Sequence, residues 1–124
     1  MISENLGKFY INGAWLEPHS SARMGLENPA TEEIVAQVAL GDQTDIDAAI
    51  LAARAAFDDF TLWPVQKRID LLKRILEIYN SRYEELAQAM SVEMGAPIEW
   101  ARGAQAWAGQ VHLESTIKAA EEMA

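Results

Sequence analysis

Ile34 to Phe60, IVAQVALGDQTDIDAAILAARAAFDDF, changes its hydrophobic period part-way along. The run Ile34-Val35-Ala36-Gln37-Val38-Ala39-Leu40 is rich in β-prone residues and reads as extended chain. At Gly41-Asp42 the period passes from two to 3.6. Ile46, Ala49, Ile50, Ala53, Phe57 and Phe60 then share one face of a helix running to about Asp59. Thr44, with Asp47 three residues on, reads as its N-cap and capping-box partner. The switch divides the chain into extended pairs before it and helices after it.

On the N-terminal side, Lys8-Phe9-Tyr10-Ile11 and Ala14-Trp15-Leu16-Glu17 flank Asn12-Gly13. That pair is the strongest short hairpin signal, because both central residues of the tight turn need positive φ. Residues 18–23 are small and polar and read as a loop. A second extended pair joins Met24–Glu27 to Ile34–Leu40 through Asn28-Pro29-Ala30-Thr31, where Pro29 lacks a ladder donor and suits a turn.

On the C-terminal side, Pro64 opens a helix carrying Ile69, Leu72, Ile75, Leu76 and Tyr79 on its apolar face. Asp70 is placed to pair with Lys73 or Arg74. Asn80-Ser81 reads as a break, with Ser81 and Glu84 forming the next capping box. A third helix presents Tyr83, Leu86, Ala87, Met90 and Met94 and stops at Gly95, with Pro97 beyond. The last begins at Pro97 and has two apolar sides: Trp100, Ala104, Trp107 and Val111 on one, Leu113, Ile117 and Ala120 on the other. Such a helix needs two neighbours or a bend near Gly109. The whole is therefore helix-rich, with two N-terminal hairpin units (1–41) and about four helices (44–124). Nothing alternates strand and helix as a nucleotide-binding sheet does.

The chain has 124 residues, half of them hydrophobic, and a net charge of −9. This is the balance of a soluble globular domain, and its acidity argues against nucleic acid as a partner. There is no cysteine, which excludes disulfides, thiolate metal sites and a thiol nucleophile among these residues. The first residues carry no apolar h-region, and no apolar run approaches the ~20 residues of a membrane span. A cytoplasmic protein is expected.

Lys8-x-Tyr10-Ile11-Asn12-Gly13-x-Trp15 is followed by Asn28-Pro29-Ala30-Thr31 with Glu33, and by Asp45 through Phe57. A Trp63-Pro64 break follows, with Arg68…Leu71-Leu72-Lys73-Arg74, Glu84-Glu85-Leu86-Ala87 and Glu93-Met94-Gly95-x-Pro97. Taken in this order, the set covers residues 8 to 103 and closely resembles the opening of aldehyde dehydrogenases. Glu32 departs from the glycine the family commonly has after Asn-Pro-Ala-Thr, so that turn must tolerate a side chain. Ala96 replaces the lysine usual in the Gly-x-Pro stop.

The resemblance implies an α/β parent with a doubly wound cofactor domain, a catalytic domain and an oligomerisation arm. It implies oxidation of a small-molecule aldehyde to a carboxylic acid with NAD or NADP, through a thiohemiacetal on a cysteine. The nucleophilic Cys, the Asn, the catalytic Glu and most of the cofactor-binding domain belong to later parts of the family's chain, so no catalytic or cofactor-binding residue is assigned here. This segment, flanking the cofactor domain, is expected to be an inactive scaffold that binds no cofactor and self-associates, its parent being a homo-oligomer. Two alternatives stand beside it: a non-catalytic acidic helical interaction module, and a fragment of a related acyl-phosphate or acyl-thioester reductase.

One site follows from the resemblance. In many aldehyde dehydrogenases the acidic residue before the Gly-x-Pro stop helps bind sodium or potassium, together with backbone carbonyls. The matching positions are Glu93 and the carbonyl of Glu27, and oxygen ligands suit a hard cation. A helix-end glutamate with no ion is the reading preferred here. His19 and His112 have no partner in metal-ligand spacing and read as surface histidines. Ser20-Ser21 beside His19 lacks an acid placed to orient the ring. Trp100 and Trp107 read as core or interdomain packing, and Glu84-Glu85 and Asp58-Asp59 as solvated faces.

Overall fold

The structure is a computed structural model and describes residues 5–124; the start of the N-terminal stretch read above, residues 1–4, lies outside the described residues. The chain forms two compact units that meet in sequence between Leu62 and Trp63, so the first helix clusters with the hairpins.

In the first unit, β1 (Phe9–Ile11) and β2 (Ala14–Leu16) pair antiparallel, with Tyr10 opposite Trp15. Asn12 and Gly13 adopt φ 52° and 79°, the turn that their types allow. The Tyr10 and Trp15 rings lie 5.2 Å apart across the ladder. The loop before the next strand ends one residue earlier than expected, since β3 (Arg23–Asn28) includes Arg23; it pairs with β4 (Glu33–Ala39). Leu26 faces Ala36 while Glu27 faces Ile34, so Val35 is an extra, bulged residue. The Asn28 side chain accepts from the Ala30 amide at 2.9 Å, closing the Asn-Pro-Ala-Thr turn. Glu32 takes φ 59°, the left-handed conformation that the glycine common in the family would adopt without cost.

Helix α1 (Gln43–Thr61) is capped differently from the sequence reading. Asp42, not Thr44, is the N-cap; its carboxylate accepts from the Thr44 and Asp45 amides, and the Asp45 carboxylate returns a bond to the Asp42 amide. Both Thr44-x-x-Asp47 and Asp42-x-x-Asp45 satisfy the pattern, and the structure uses the earlier frame; Gly41, just before it, lets Phe9 pack beside the chain, where a Cβ would sit 3.3 Å from the ring. No residue of α1 is buried. Ile46, Ile50 and Phe57, on its apolar stripe, are 51%, 59% and 55% exposed.

In the second unit, α2 (Val65–Ser81) follows Pro64, which occupies the N-cap rather than the first helical position. Lys67 sits 3.6 Å above the Trp63 ring. Asp70 accepts from Gln66, while Lys73 reaches Glu121 and Arg74 pairs with Glu77, so neither expected Asp70 ion pair forms. Ser81 does not cap α3 (Tyr83–Met94): its hydroxyl donates back to the Ile78 carbonyl, and the helices join through Arg82. Gly95 ends α3 at φ 68°, as read from sequence.

The last helical run is α4 (Ile98–Trp100), a π-helical segment (Ala101–Ala106) and α5 (Trp107–Met123). The two-sided helix is accommodated by this π segment, upstream of the expected bend at Gly109. A π turn carries an extra residue and leaves carbonyls without their usual i+4 donors. Tyrosine hydroxyls supply donors at both ends: Tyr83 to Arg102 O at 2.6 Å and Tyr79 to Ala106 O at 2.7 Å. Tyr79 gets that close because residue 109 is glycine; a Cβ there would stand 2.3 Å from its hydroxyl. Ala87, Ala101 and Ala106 are fully buried, Ile69 of α2 is 1% exposed, and Ile117 of α5 is 7%. Burying an isoleucine such as Ile69 contributes about 2 kcal/mol. Trp100 and Trp107, in contrast, are exposed and outside this core.

Candidate functional site

Two polar clusters stand out, one in each unit. In the first, the loop after β2 meets the start of α1. His19 Nδ1 lies 2.6 Å from Asp42 Oδ2, and the His19 amide donates to Asp45 Oδ1 at 2.9 Å. An acid does therefore orient this histidine, contrary to the sequence reading. Asp42 is 23 positions away, and only the turn that brings the loop back to the helix start joins them. The arrangement is still no catalytic triad: the Ser20 hydroxyl accepts from the Ala22 amide at 3.0 Å, and the His19 ring is bonded to Asp42, with no bond to Ser20. The hydrogen bond to Asp42 raises the His19 imidazole above its ordinary range, and the same bond lowers the Asp42 carboxyl.

The second cluster fixes the π segment to α3. Arg102 Nε and Nη2 donate to the two oxygens of Glu84 at 2.8 and 2.6 Å, while Nη1 donates to Glu99 at 2.7 Å. Gln88 adds a third bond to Glu84. Hydrogen bonding to Arg102, then to Gln88, pulls the Glu84 carboxyl down to about 2. Glu84 is thus one arm of a two-pronged guanidinium pair and not simply a solvated residue. Its partner is 18 positions away, beyond the i,i+4 spacing that helical sequence patterns reveal. Glu85 pairs locally with Arg82. Both clusters bind protein to protein, and every hydrogen bond named above is internal.

The remaining sequence candidates belong to different units. Glu27 is exposed on β3 beside the bulge, and Glu93 is half-buried in the last turn of α3, in the other unit. Among the described residues no group of three or more His, Asp or Glu side chains is gathered for a metal. His112 is exposed on α5, and its carbonyl accepts from Thr116.

Among the described residues the usual dinucleotide cradle is not found. Such cofactors lie on a helix N-terminus fed by a glycine-rich turn from a parallel strand. Both sheets described are two-stranded antiparallel ribbons, and the N-terminus of α1 is filled by the carboxylates of Asp42 and Asp45, which repel phosphate. No hydride-transfer step is derived from these residues. No helix among them is long and apolar enough to cross a membrane.

Comparison with known proteins shows which family this arrangement belongs to. A family model for the aldehyde dehydrogenase family matches residues 15–124. The 3-succinoylsemialdehyde-pyridine dehydrogenase of a Pseudomonas species is 39% identical over 107 residues, 86% of this chain and 22% of that protein. The crystal structure of aldehyde dehydrogenase from Bartonella henselae superposes with a TM-score of 0.91 at 41% identity, over 93% of this chain and 24% of that one. A mutant of aldehyde dehydrogenase C from Pseudomonas syringae, complexed with NAD+ and octanal, gives 0.93 at 40% identity, over 98% of this chain and 25% of that one. The chain thus spans about a quarter of the length of the proteins it matches. Its hairpins, its four helices and its N-terminal motifs are those of that fold, and the chain belongs to the aldehyde dehydrogenase family.

Proposed function

We propose that these residues are the N-terminal scaffold of an enzyme that oxidises an aldehyde to a carboxylic acid with NAD or NADP. The carrying observation is the superposition of nearly the whole chain on an aldehyde dehydrogenase holding NAD+ and octanal. In this reading residues 44–124 flank the parent's cofactor domain. The parent's nucleophile is a cysteine outside these residues, since the sequence contains none. The 124-residue chain alone then turns over no aldehyde. An NAD(P)H-formation assay with octanal tests both halves. Turnover by the full-length parent and none by the segment supports the reading; activity of the segment, or an inert parent, overturns it.

The uncovered stripe of α1 supports a further part of the proposal. Ile46, Ile50 and Phe57 form an apolar surface of the kind that marks association. The parent's remaining residues cover it in the enzyme; without them the segment self-associates. Sedimentation of the segment as a compact monomer at high concentration would sink that idea. The parent is read as a cytoplasmic homo-oligomer acting on a small molecule, without nucleic acid or membrane partners. For Glu93 the preferred reading remains a helix-end glutamate without an ion, and a sodium or potassium ion held beside it in the parent is the alternative. Loss of a cation-dependent rise in the parent's melting temperature in Glu93→Gln tests the alternative; a rise that survives the substitution removes Glu93 from the site.

A further inference from the structure

We propose that His19 is a protonation-operated latch tying the loop between the two hairpins to the N-terminus of α1. The geometry is closed on both sides. Asp42 Oδ1 caps the helix through the Thr44 and Asp45 amides, leaving Oδ2 for the His19 ring at 2.6 Å. Asp45 Oδ2 takes the Asp42 amide, leaving Oδ1 for the His19 amide at 2.9 Å. Each carboxylate thus spends one oxygen on the helix and one on the loop. His19 is bonded to both, through its amide to Asp45 and through its ring to Asp42, and only the second of these bonds titrates with the imidazole.

The neighbouring charges leave that ring in control. From α1 the charges acting on it are Asp42 and Asp45. Within the loop region, Glu17 is paired with Lys8 at 3.2 Å, and the Arg23 guanidinium donates to the Ser20 and Ala22 carbonyls. Protonated imidazole beside two carboxylates at a helix start is a charge-assisted hydrogen bond. Its contribution is full below the ordinary histidine value and fades as pH rises through the raised value in the folded chain. Above that range the neutral ring can still donate to Asp42, but the attraction between opposite charges is gone. At the acid end the latch persists until Asp42 protonates, which its lowered carboxyl defers.

The test is a pH titration of the 124-residue chain carrying His112→Gln, so that one imidazole remains, followed by NMR. The His19 ring is expected to titrate above 6.5, the ordinary value, with the Thr44 and Asp45 amides shifting at the same midpoint. Asp42→Asn keeps a capping oxygen and removes the charge; it should bring the ring midpoint down and uncouple the amides. If association broadens the spectra, hydrogen exchange by mass spectrometry reads the same latch. After correction for intrinsic rates, peptides over residues 17–23 should exchange faster above the midpoint in the parent sequence, with no such step in His19→Gln. An unchanged ring midpoint in Asp42→Asn, or equal loop exchange on both sides of the midpoint, overturns the proposal.

Discussion

Helix α1 and the α2–α5 layer carry similar apolar stripes, but only the second has buried members, Ile69 and Ile117, while Ile75 of the same α2 face stays 41% exposed. Ile50 of α1 is 59% exposed, whereas Ile69 of α2 is 1% exposed. Both positions are helical isoleucines on the apolar face read from sequence. The difference is the neighbour. Ile69 lies in a layer where α2 packs on α5, with small residues elsewhere in that unit permitting close approach, while none of α1's residues is buried by its own unit. An amphipathic pattern states that a face must be covered; it does not state by what. The chain spans about a quarter of the length of the relatives it matches.

The sharpest way to break this comparison is a matched pair of truncations. Ile69→Ala should destabilise the chain by about 2–5 kcal/mol through lost burial and a cavity. Ile50→Ala should change stability by less than about 0.5 kcal/mol, because the side chain is already in water. Urea unfolding followed by circular dichroism reads both, and equal effects would mean that α1 is covered in solution.

Next in size is a pair of glycines. Gly109→Ala drives a Cβ into the Tyr79 hydroxyl and ring and should displace it from Ala106 O, costing about 1–3 kcal/mol despite alanine's better helix propensity. Gly103, in the π segment, has nothing within 4 Å of a built Cβ. Gly103→Ala should be neutral or stabilise by up to about 1 kcal/mol. Thermal melts of the two variants should therefore move in opposite directions, or at least diverge.

A smaller effect separates the two capping frames. Asp42→Ala should cost about 1 kcal/mol, while Thr44→Ala should cost little, since its side chain caps nothing in the structure. The reverse order in denaturant midpoints would restore the frame read from sequence.

The smallest effect is the pH dependence of the exposed Glu84–Arg102 pair. The folded carboxyl lies at about 2, below its ordinary value, so the pair contributes above the ordinary carboxyl range and is lost only as pH falls through about 2. NMR of the Glu84 carboxyl carbon should show that low midpoint, and Arg102→Lys should raise it by removing the two-pronged contact.

Much of the fold was legible because its signals are local. The Asn12-Gly13 turn, the Gly95 stop and the change of period at Gly41-Asp42 each rest on one or a few residues whose backbone preferences are strong. The capping frame of α1 differs from the sequence reading because two frames satisfy the same four-residue pattern, and a four-residue pattern cannot rank them. The polar clusters were missed for a related reason. His19 meets Asp42 across 23 positions and Arg102 meets Glu84 across 18, and no helical or strand period links such pairs.

The sequence by itself determined the order of elements, their approximate ends and the family, because turn chemistry, periodicity and an ordered set of motifs act at short range. Only the tertiary structure decided which apolar faces find a partner, where the last helix absorbs its change of side, and which charges meet. Those outcomes depend on distances between elements far apart in the chain. The π segment shows why: two tyrosine hydroxyls from α2 and α3 and the missing Cβ of Gly109 sit around Ala101–Ala106, and none of these is a property of that six-residue stretch.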